Sequence, residues 1–279
     1  MPELVTIVIP VFNQPELTRA CLASLRARVA GAPFEILIVD NASEAETKTV
    51  LAESARDPVI RVLANDANLG FARACNQGAR VARGDLIVFL NSDTEVEADW
   101  LGPLARSLRQ DVAVGAVGGM LLNMDGTIQS AGMYLVDCRQ TLVPYLTWMA
   151  GAGARVEEFA AFNYPRICPM VSGACLATRR VTFLEMGGFD EGYYNGYEDA
   201  DYCLRLGERG LLVVYQPGSV VRHHGSPNPP ERFRCHRENR ARFLARWQAL
   251  VPAHAIRTAD GQMRFTSGDH PRRYLGLGT

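Results

Sequence analysis

The chain has 279 residues, of which 48% are hydrophobic and 21% charged, with a formal net charge of -1. That much apolar material can bury a core, which excludes a disordered chain, and one large α/β domain or two small ones fit the length. The near-neutral balance excludes bulk attraction to nucleic acid, which needs a basic face.

The first half alternates strand and helix. Leu4 to Pro10 is an apolar run ended by proline, as in a strand buried on both faces. Asn13 is placed to cap a helix whose Leu17, Cys21, Leu22 and Leu25 recur at helical spacing. Strands are predicted over 35–40, 59–64 and 86–90, with a polar helix from Ser43 to about Ala55 and a small-residue helix over 69–82. After residue 110 the pattern loosens. Val112 to Leu122 reads as a glycine-bearing strand, and 124–167 has weak periodicity around a polar turn at Asp125-Gly126. Further strands are predicted over 171–178 and 211–215, with short helices over 179–186 and 198–209 and a final amphipathic helix over 231–250. The residues after Pro252 read as a polar, peripheral tail. The expected architecture is a mostly parallel central sheet flanked by helices.

The seven cysteines show no C-x-x-C spacing, which excludes a zinc framework and suits reduced thiols in a cytoplasmic protein. No basic and then apolar leader opens the sequence, and the stretch 142–154, broken by Pro144, is shorter than the roughly 20 residues that span a bilayer.

In open α/β sheets, ligands bind beyond the carboxyl ends of the strands. Pro10 to Asn13, Asp40-Asn41, Asn65 to Gly70 and Asn91 to Asp93 all fall there. Asp93 can coordinate Mg²⁺ or Mn²⁺ on a diphosphate, or it can simply cap the next helix. Asp40 can accept the ring N–H of a base, or start a turn. Asn68 and Gly70 open a helix, where the glycine admits close approach and the helix end favours an anion. Glu198, Asp199 and Asp201 crowd a first helical turn beyond what the dipole needs, so one of them suits a general base aimed at a hydroxyl. His223, in a pair before Gly225, can be a second metal ligand beside Asp93. Tyr134, Tyr145, Trp148, Phe162 and Tyr164 suit an acceptor-side loop or an ordinary core. The arginines Arg232, Arg234, Arg237, Arg240, Arg242 and Arg246 suit an anionic surface or a solvated face.

Val8-Ile9-Pro10-Val11-Phe12-Asn13, Ile38-Val39-Asp40-Asn41, Asn68-Leu69-Gly70-Phe71, Phe89-Leu90-Asn91-Ser92-Asp93, Gly187-Gly188-Phe189-Asp190, Glu198-Asp199-Ala200-Asp201 and His223-His224-Gly225 stand in one order. In that order they resemble the family 2 glycosyltransferases, and within them the bacterial rhamnosyltransferase-like branch. The resemblance implies a single GT-A domain over 1–250, with a nucleotide-binding half to about 110, an acceptor and catalytic half to 250, and a tail over 251–279. It implies a nucleotide-diphospho-sugar donor, a glycan or lipid-linked acceptor, a Mn²⁺ or Mg²⁺ cofactor and inversion at the anomeric carbon. Pro10, Phe12 and Asn13 would line the nucleotide, with Asn68, Gly70 and Asn76 beside them, and Asp40 would hold the base. Asn91 would meet the ribose, Asp93 and His223 the metal, and Asp199, paired with Glu198, would be the catalytic base. Cys75 stands where many relatives carry arginine. The resemblance points to cell-surface polysaccharide assembly at the inner face of the membrane, with peripheral membrane contact and oligomers both admissible. A sugar nucleotidyltransferase would need a glycine-rich basic loop after the first strand, which Val11 to Pro15 lacks. A binding module that had lost its chemistry remains the other reading.

Overall fold

A computed structural model describes residues 4–28, 33–137, 145–160, 163–225, 230–249, 255–257 and 263–265. In chain order these form β1 (Val5–Val11), α1 (Pro15–Arg28), β2 (Phe34–Asp40), α2 (Ala45–Ser54), β3 (Ile60–Ala64), α3 (Phe71–Val81) and β4 (Leu86–Leu90). Then come β5 (Thr94–Val96), α4 (Leu101–Gln110), β6 (Val114–Leu122), β7 (Ile128–Ser130), β8 (Met133–Asp137), β9 (Tyr145–Met149), β10 (Arg166–Ile167) and β11 (Cys175–Arg179). The chain continues through α5 (Arg180–Glu185), α6 (Glu198–Glu208), β12 (Leu212–His223), α7 (Pro230–Trp247), β13 (Ala255–Arg257) and β14 (Met263–Phe265).

The main sheet runs β10-β12-β6-β11-β4-β1-β2-β3, with β5 paired to β12 and β7 to β6. β4, β1, β2 and β3 are mutually parallel, β11 enters antiparallel, and β6 and β12 are parallel to each other. The near-continuous apolar strands are buried on both faces, because alternate residues serve two cores. Val8, Val39, Ile87 and Phe89 face one, and Ile7, Ile9, Ile36, Ile38, Val88 and Leu90 the other.

Several expectations shift in detail. β1 continues through Pro10 instead of stopping there. The Val11 carbonyl points at β2, so alternation aims the Pro10 nitrogen at the β4 side, where pairing has already ended at Val8. α4 carries Gly102 and Pro103, two residues that commonly break helices, in its first turn. Proline in a first turn removes an N–H that has no helical partner anyway. The strand predicted over 211–215 runs on as one longer strand, β12, with a bulge between Gln216 and Val220. The weakly periodic region builds a second sheet, β14-β13-β8-β9. β13, from the segment read as a tail, pairs in parallel with β8 there.

Five described cysteines are buried, Cys235 is half-buried, and all six are free thiols. No helix among the described residues is long and apolar enough to cross a membrane.

Candidate active site

The loops after β1, β2 and β3 and the start of α3 are tied by their own polar side chains. Asn13 does not cap α1. Its φ is 57°, its backbone N–H donates to Ser43 Oγ at 2.9 Å, and its Oδ1 accepts the Glu44 N–H at 2.8 Å. Asp40 is buried at the end of β2 and accepts the Ser43 N–H at 2.9 Å, which fixes the carboxylate at the sheet edge. Asn41 donates to the Gly70 carbonyl at 3.3 Å and accepts from Asn65 at 2.9 Å, so the β2 and β3 loops meet the entry to α3. Phe12 is 48% exposed, unusual for an aromatic next to a buried strand. Pro10 is buried inside β1.

Gly70 has φ +83° and ψ 171°, a region essentially closed to residues with a Cβ. What comes close to it is not open space for an anion but the loop before α6. A Cβ at Gly70 would lie 2.6 Å from the Tyr194 carbonyl oxygen. That carbonyl and Asn195 Oδ1 both accept the Phe71 N–H, each at 3.1 Å, while Asn68 Oδ1 takes the Gly70 N–H at 3.0 Å. The first donors of α3 therefore hold the chain itself. Gly70→Ala should cost about 1–3 kcal/mol from the backbone alone, with the Tyr194 collision added. Urea unfolding will measure it, and a loss under 1 kcal/mol would show that the two loops part freely.

Asn76 belongs to the same clamp. It is buried, donates to the Phe189 carbonyl at 2.9 Å and Glu191 at 3.0 Å, and accepts the Phe189 N–H at 2.9 Å. Arg73 pairs with Glu191 at 3.3 Å. Cys75, in place of a cation, is fully buried, and burial pushes its thiol well above the ordinary value.

α6 begins under strain. Tyr197, its N-cap, sits at φ 75° behind Gly196 at φ 101°. α7 holds this turn in place. Asn239 donates to the carbonyls of Asn195 at 3.1 Å and Gly196 at 3.0 Å, and Tyr197 packs on His236 and Phe243. Of the three crowded carboxylates, Asp201 points into the protein, accepting from Trp247 at 3.0 Å and Arg205 at 2.8 Å and pairing with Arg246 at 3.1 Å. Arg242 pairs with Asp190 at 3.2 Å, so two arginines of α7 tie it to the α6 region rather than forming a separate face. Glu198 is buried.

Asp199 is half-buried. Its Oδ2 accepts the Gly173 N–H at 2.7 Å and its Oδ1 the Ala200 N–H at 2.7 Å. Burial raises its pKa above the ordinary carboxylate value, against the opposing effect of those two bonds. The next residue, Ala174, accepts the Asn91 N–H at 3.1 Å. Consecutive residues of one loop thus hold Asp199 and the Asn91-Ser92-Asp93 turn.

Asp93 meets His223 because β5 pairs antiparallel with the end of β12, with Thr94 opposite His223. His223 Nε2 lies 3.1 Å from Asp93 Oδ1 and 3.2 Å from Asn91 Nδ2, and Nδ1 lies 2.7 Å from Gln129 Oε1. The His224 N–H donates to the Asp93 carbonyl at 2.9 Å, and the His224 ring turns to Glu95 instead. An imidazole nitrogen and a carboxylate oxygen this close suit a divalent cation such as Mn²⁺. Among the described residues no group of three or more His, Cys, Asp or Glu side chains is placed to hold a metal.

Tyr134 is buried in the core, Tyr164 is half-buried, Tyr145 and Trp148 stand on β9, and Phe162 lies outside the described residues. Gln129, Gly173, Asn195 and Asn239 were not foreseen. Each is a lone polar residue or glycine outside any motif, so spacing carries no signal for it.

The sequence profile described as Glycosyl transferase family 2 matches residues 6–181. The chain belongs to that family. This family 2 transferase is 34% identical over 223 residues to the O-antigen biosynthesis protein RfbC of Myxococcus xanthus, covering 80% of this chain and 17% of that protein. It is 27% identical over 271 residues to the N-acetylglucosaminyl-diphospho-decaprenol L-rhamnosyltransferase of Mycobacterium tuberculosis, covering 88% of this chain and 85% of that enzyme. It spans 26% of the y4gI protein of Sinorhizobium fredii, at 30% identity. Its fold matches GalNAc-T7, solved with UDP, GalNAc and Mn²⁺, at a TM-score of 0.69 and 20% identity over 89% of this chain and 49% of that one. It also matches the mannosyltransferase PcManGT of Pyrobaculum calidifontis, solved with GDP-Man and Mn²⁺, at a TM-score of 0.61 and 20% identity over 91% of this chain and 66% of that one. The expected GT-A architecture is therefore the observed one.

Proposed function

We propose that this transferase moves a sugar, with L-rhamnose the first to test, from a nucleotide diphosphate to a glycan or lipid-linked acceptor in cell-surface polysaccharide assembly, with inversion. The observation that carries this reading is the shared loop. Gly173 and Ala174 hold a half-buried carboxylate and the Asn91 to Asp93 turn side by side. A general base and a site for diphosphate charge are the two things sugar transfer needs near one carbon.

Asp93 and His223 would hold a divalent cation, which neutralises charge on the departing diphosphate. Asp40 would receive the base, Asn91 the ribose, and Pro10, Phe12 and Asn13 would shape the pocket, with Asn68 and Gly70 holding the entry to α3 against the Tyr194 loop. Asn76 would fasten the loop that leads to α6. Asp199 would accept the proton of the acceptor hydroxyl as that oxygen bonds to the anomeric carbon. The carbon–oxygen bond to the diphosphate breaks on the opposite face, and the nucleotide leaves with the bonding pair. The Gly173 and Ala200 N–H groups orient both carboxylate oxygens before the acceptor arrives, so little reorganisation remains.

The y4gI and RfbC relatives are much longer than this chain, and the mycobacterial rhamnosyltransferase, comparable in length, supports the lipid-linked acceptor. The test is a thermal-shift panel of UDP, GDP, dTDP and CDP, each with and without Mn²⁺. One nucleotide should stabilise the protein only with the metal present, by about 2.7 kcal/mol at a hundredfold excess over Kd. If none shifts the melt in either condition, the donor site is refuted and the non-catalytic module becomes the better reading.

A further inference from the structure

Strand pairing brings Asp93 to His223, but it does not decide which ring nitrogen carries hydrogen. That choice is made on the β6–β7 hairpin. Asp125 is a carboxylate and can only accept; it takes the Thr127 hydroxyl at 2.7 Å and the Thr127 N–H at 2.9 Å. Those bonds hold its carboxyl below the usual range, so it is ionised and cannot reverse its role. With its hydrogen committed to Asp125, the Thr127 hydroxyl oxygen accepts Asn123 Nδ2–H at 2.9 Å. Asn123 Oδ1 is then left to accept Gln129 Nε2–H at 3.2 Å, and the second Gln129 hydrogen reaches the His223 carbonyl at 3.5 Å. Turning the Gln129 amide over would set its oxygen against two acceptors. Its Oε1 therefore faces His223 Nδ1 at 2.7 Å, and an amide oxygen cannot donate.

We propose that Gln129, oriented through Asn123, Thr127 and Asp125, is a positioning residue that fixes the His223 ring with hydrogen on Nδ1. The Nε2 lone pair is thereby kept turned toward Asp93 for a divalent cation. Partners on the far ring nitrogen commonly tune metal ligands in this way. The cation half of the inference rests on the function proposed above, whereas the ring half does not.

The experiment is long-range proton–nitrogen correlation on metal-free protein labelled with nitrogen-15 histidine, with the His223 signals identified by their loss in His223→Asn. Wild type should show hydrogen on Nδ1. Gln129→Leu should move it to Nε2, where Asp93 accepts it, and Thr127→Val should give a mixture. Gln129→Glu would set its second oxygen against Asn123 Oδ1 and the His223 carbonyl, so a cooperative circular-dichroism melt of Gln129→Leu serves as the control for folding. Water-proton relaxation with Mn²⁺ alone should report binding about 10–100-fold weaker in Gln129→Leu than in wild type. Hydrogen on Nε2 in wild type, or a ring unmoved in Gln129→Leu, overturns the inference. If the ring moves as expected while wild type fails to bind Mn²⁺, the relay stands and the metal reading falls.

Discussion

Asp199→Asn is expected to lower kcat by about two to four orders of magnitude, the usual worth of a positioned general base. Nucleotide binding, read by calorimetry, should stay at the wild-type level, because Asp199 is held by Gly173 whereas the turn proposed to meet the diphosphate is held by Ala174. The pH profile carries the sharper signature. Burial holds the wild-type carboxyl above the ordinary value, so kcat/KM should rise with pH along an acid limb displaced upward and then level off. Asparagine removes that limb. The same shift sets the sign of the stability effect. The native state holds this proton more tightly than the unfolded chain does, so its contribution is complete at low pH and is lost as pH rises through the native pKa. The melting temperature of Asp199→Asn relative to wild type should therefore improve as pH rises. Unimpaired turnover in the variant would remove Asp199 from the mechanism.

Asp93→Ala should be comparably damaging, for a different reason. It removes the carboxylate of the two-residue set and leaves His223 Nε2 facing Asn91 alone. Charge stabilisation by a metal is worth several kcal/mol, so a loss of at least about a hundredfold in kcat/KM is expected. The dependence on Mn²⁺ should go with it. Steady-state rates across a Mn²⁺ titration will separate the outcomes. A variant with a normal maximum reached at higher Mn²⁺ would mean that Asp93 only tunes affinity, and a variant indistinguishable from wild type would mean the metal binds elsewhere.

Much of this arrangement is legible in the sequence. The strands from β1 to β4 are apolar runs closed by polar residues, and the rule for open sheets leads to Asp40, Asn41 and Asn91 to Asp93. The cluster Glu198, Asp199 and Asp201 stands out because three carboxylates in four residues exceed what a helix start needs, and the family resemblance points to Asp199 within it. What escapes is whatever depends on two distant segments. Gly70 reads as a place for a ligand, and only the structure shows the Tyr194 carbonyl there. Asp201 looks as chemically available as Asp199 until Trp247 and Arg246, far along the chain, are seen to bind it. Asn13 has the composition of a cap for its own helix, yet its side chain serves the start of α2. Local periodicity carries no information about such partners, because each is set by sheet order rather than by neighbours in sequence.

The pairing of β5 with β12 joins residues 130 positions apart at Asp93 and His223. Such a contact is among the slowest kinds to form, since a long loop must close before it is rewarded. The order of assembly follows from this. A chain emerging from the ribosome completes β2, which ends in Asp40, and β4, which leads into Asn91, while the partner of Asp93 is still unmade. The loops proposed to receive the nucleotide are thus built first, and the Asp93–His223 pair proposed for the metal is completed only with one of the last strands of the main sheet.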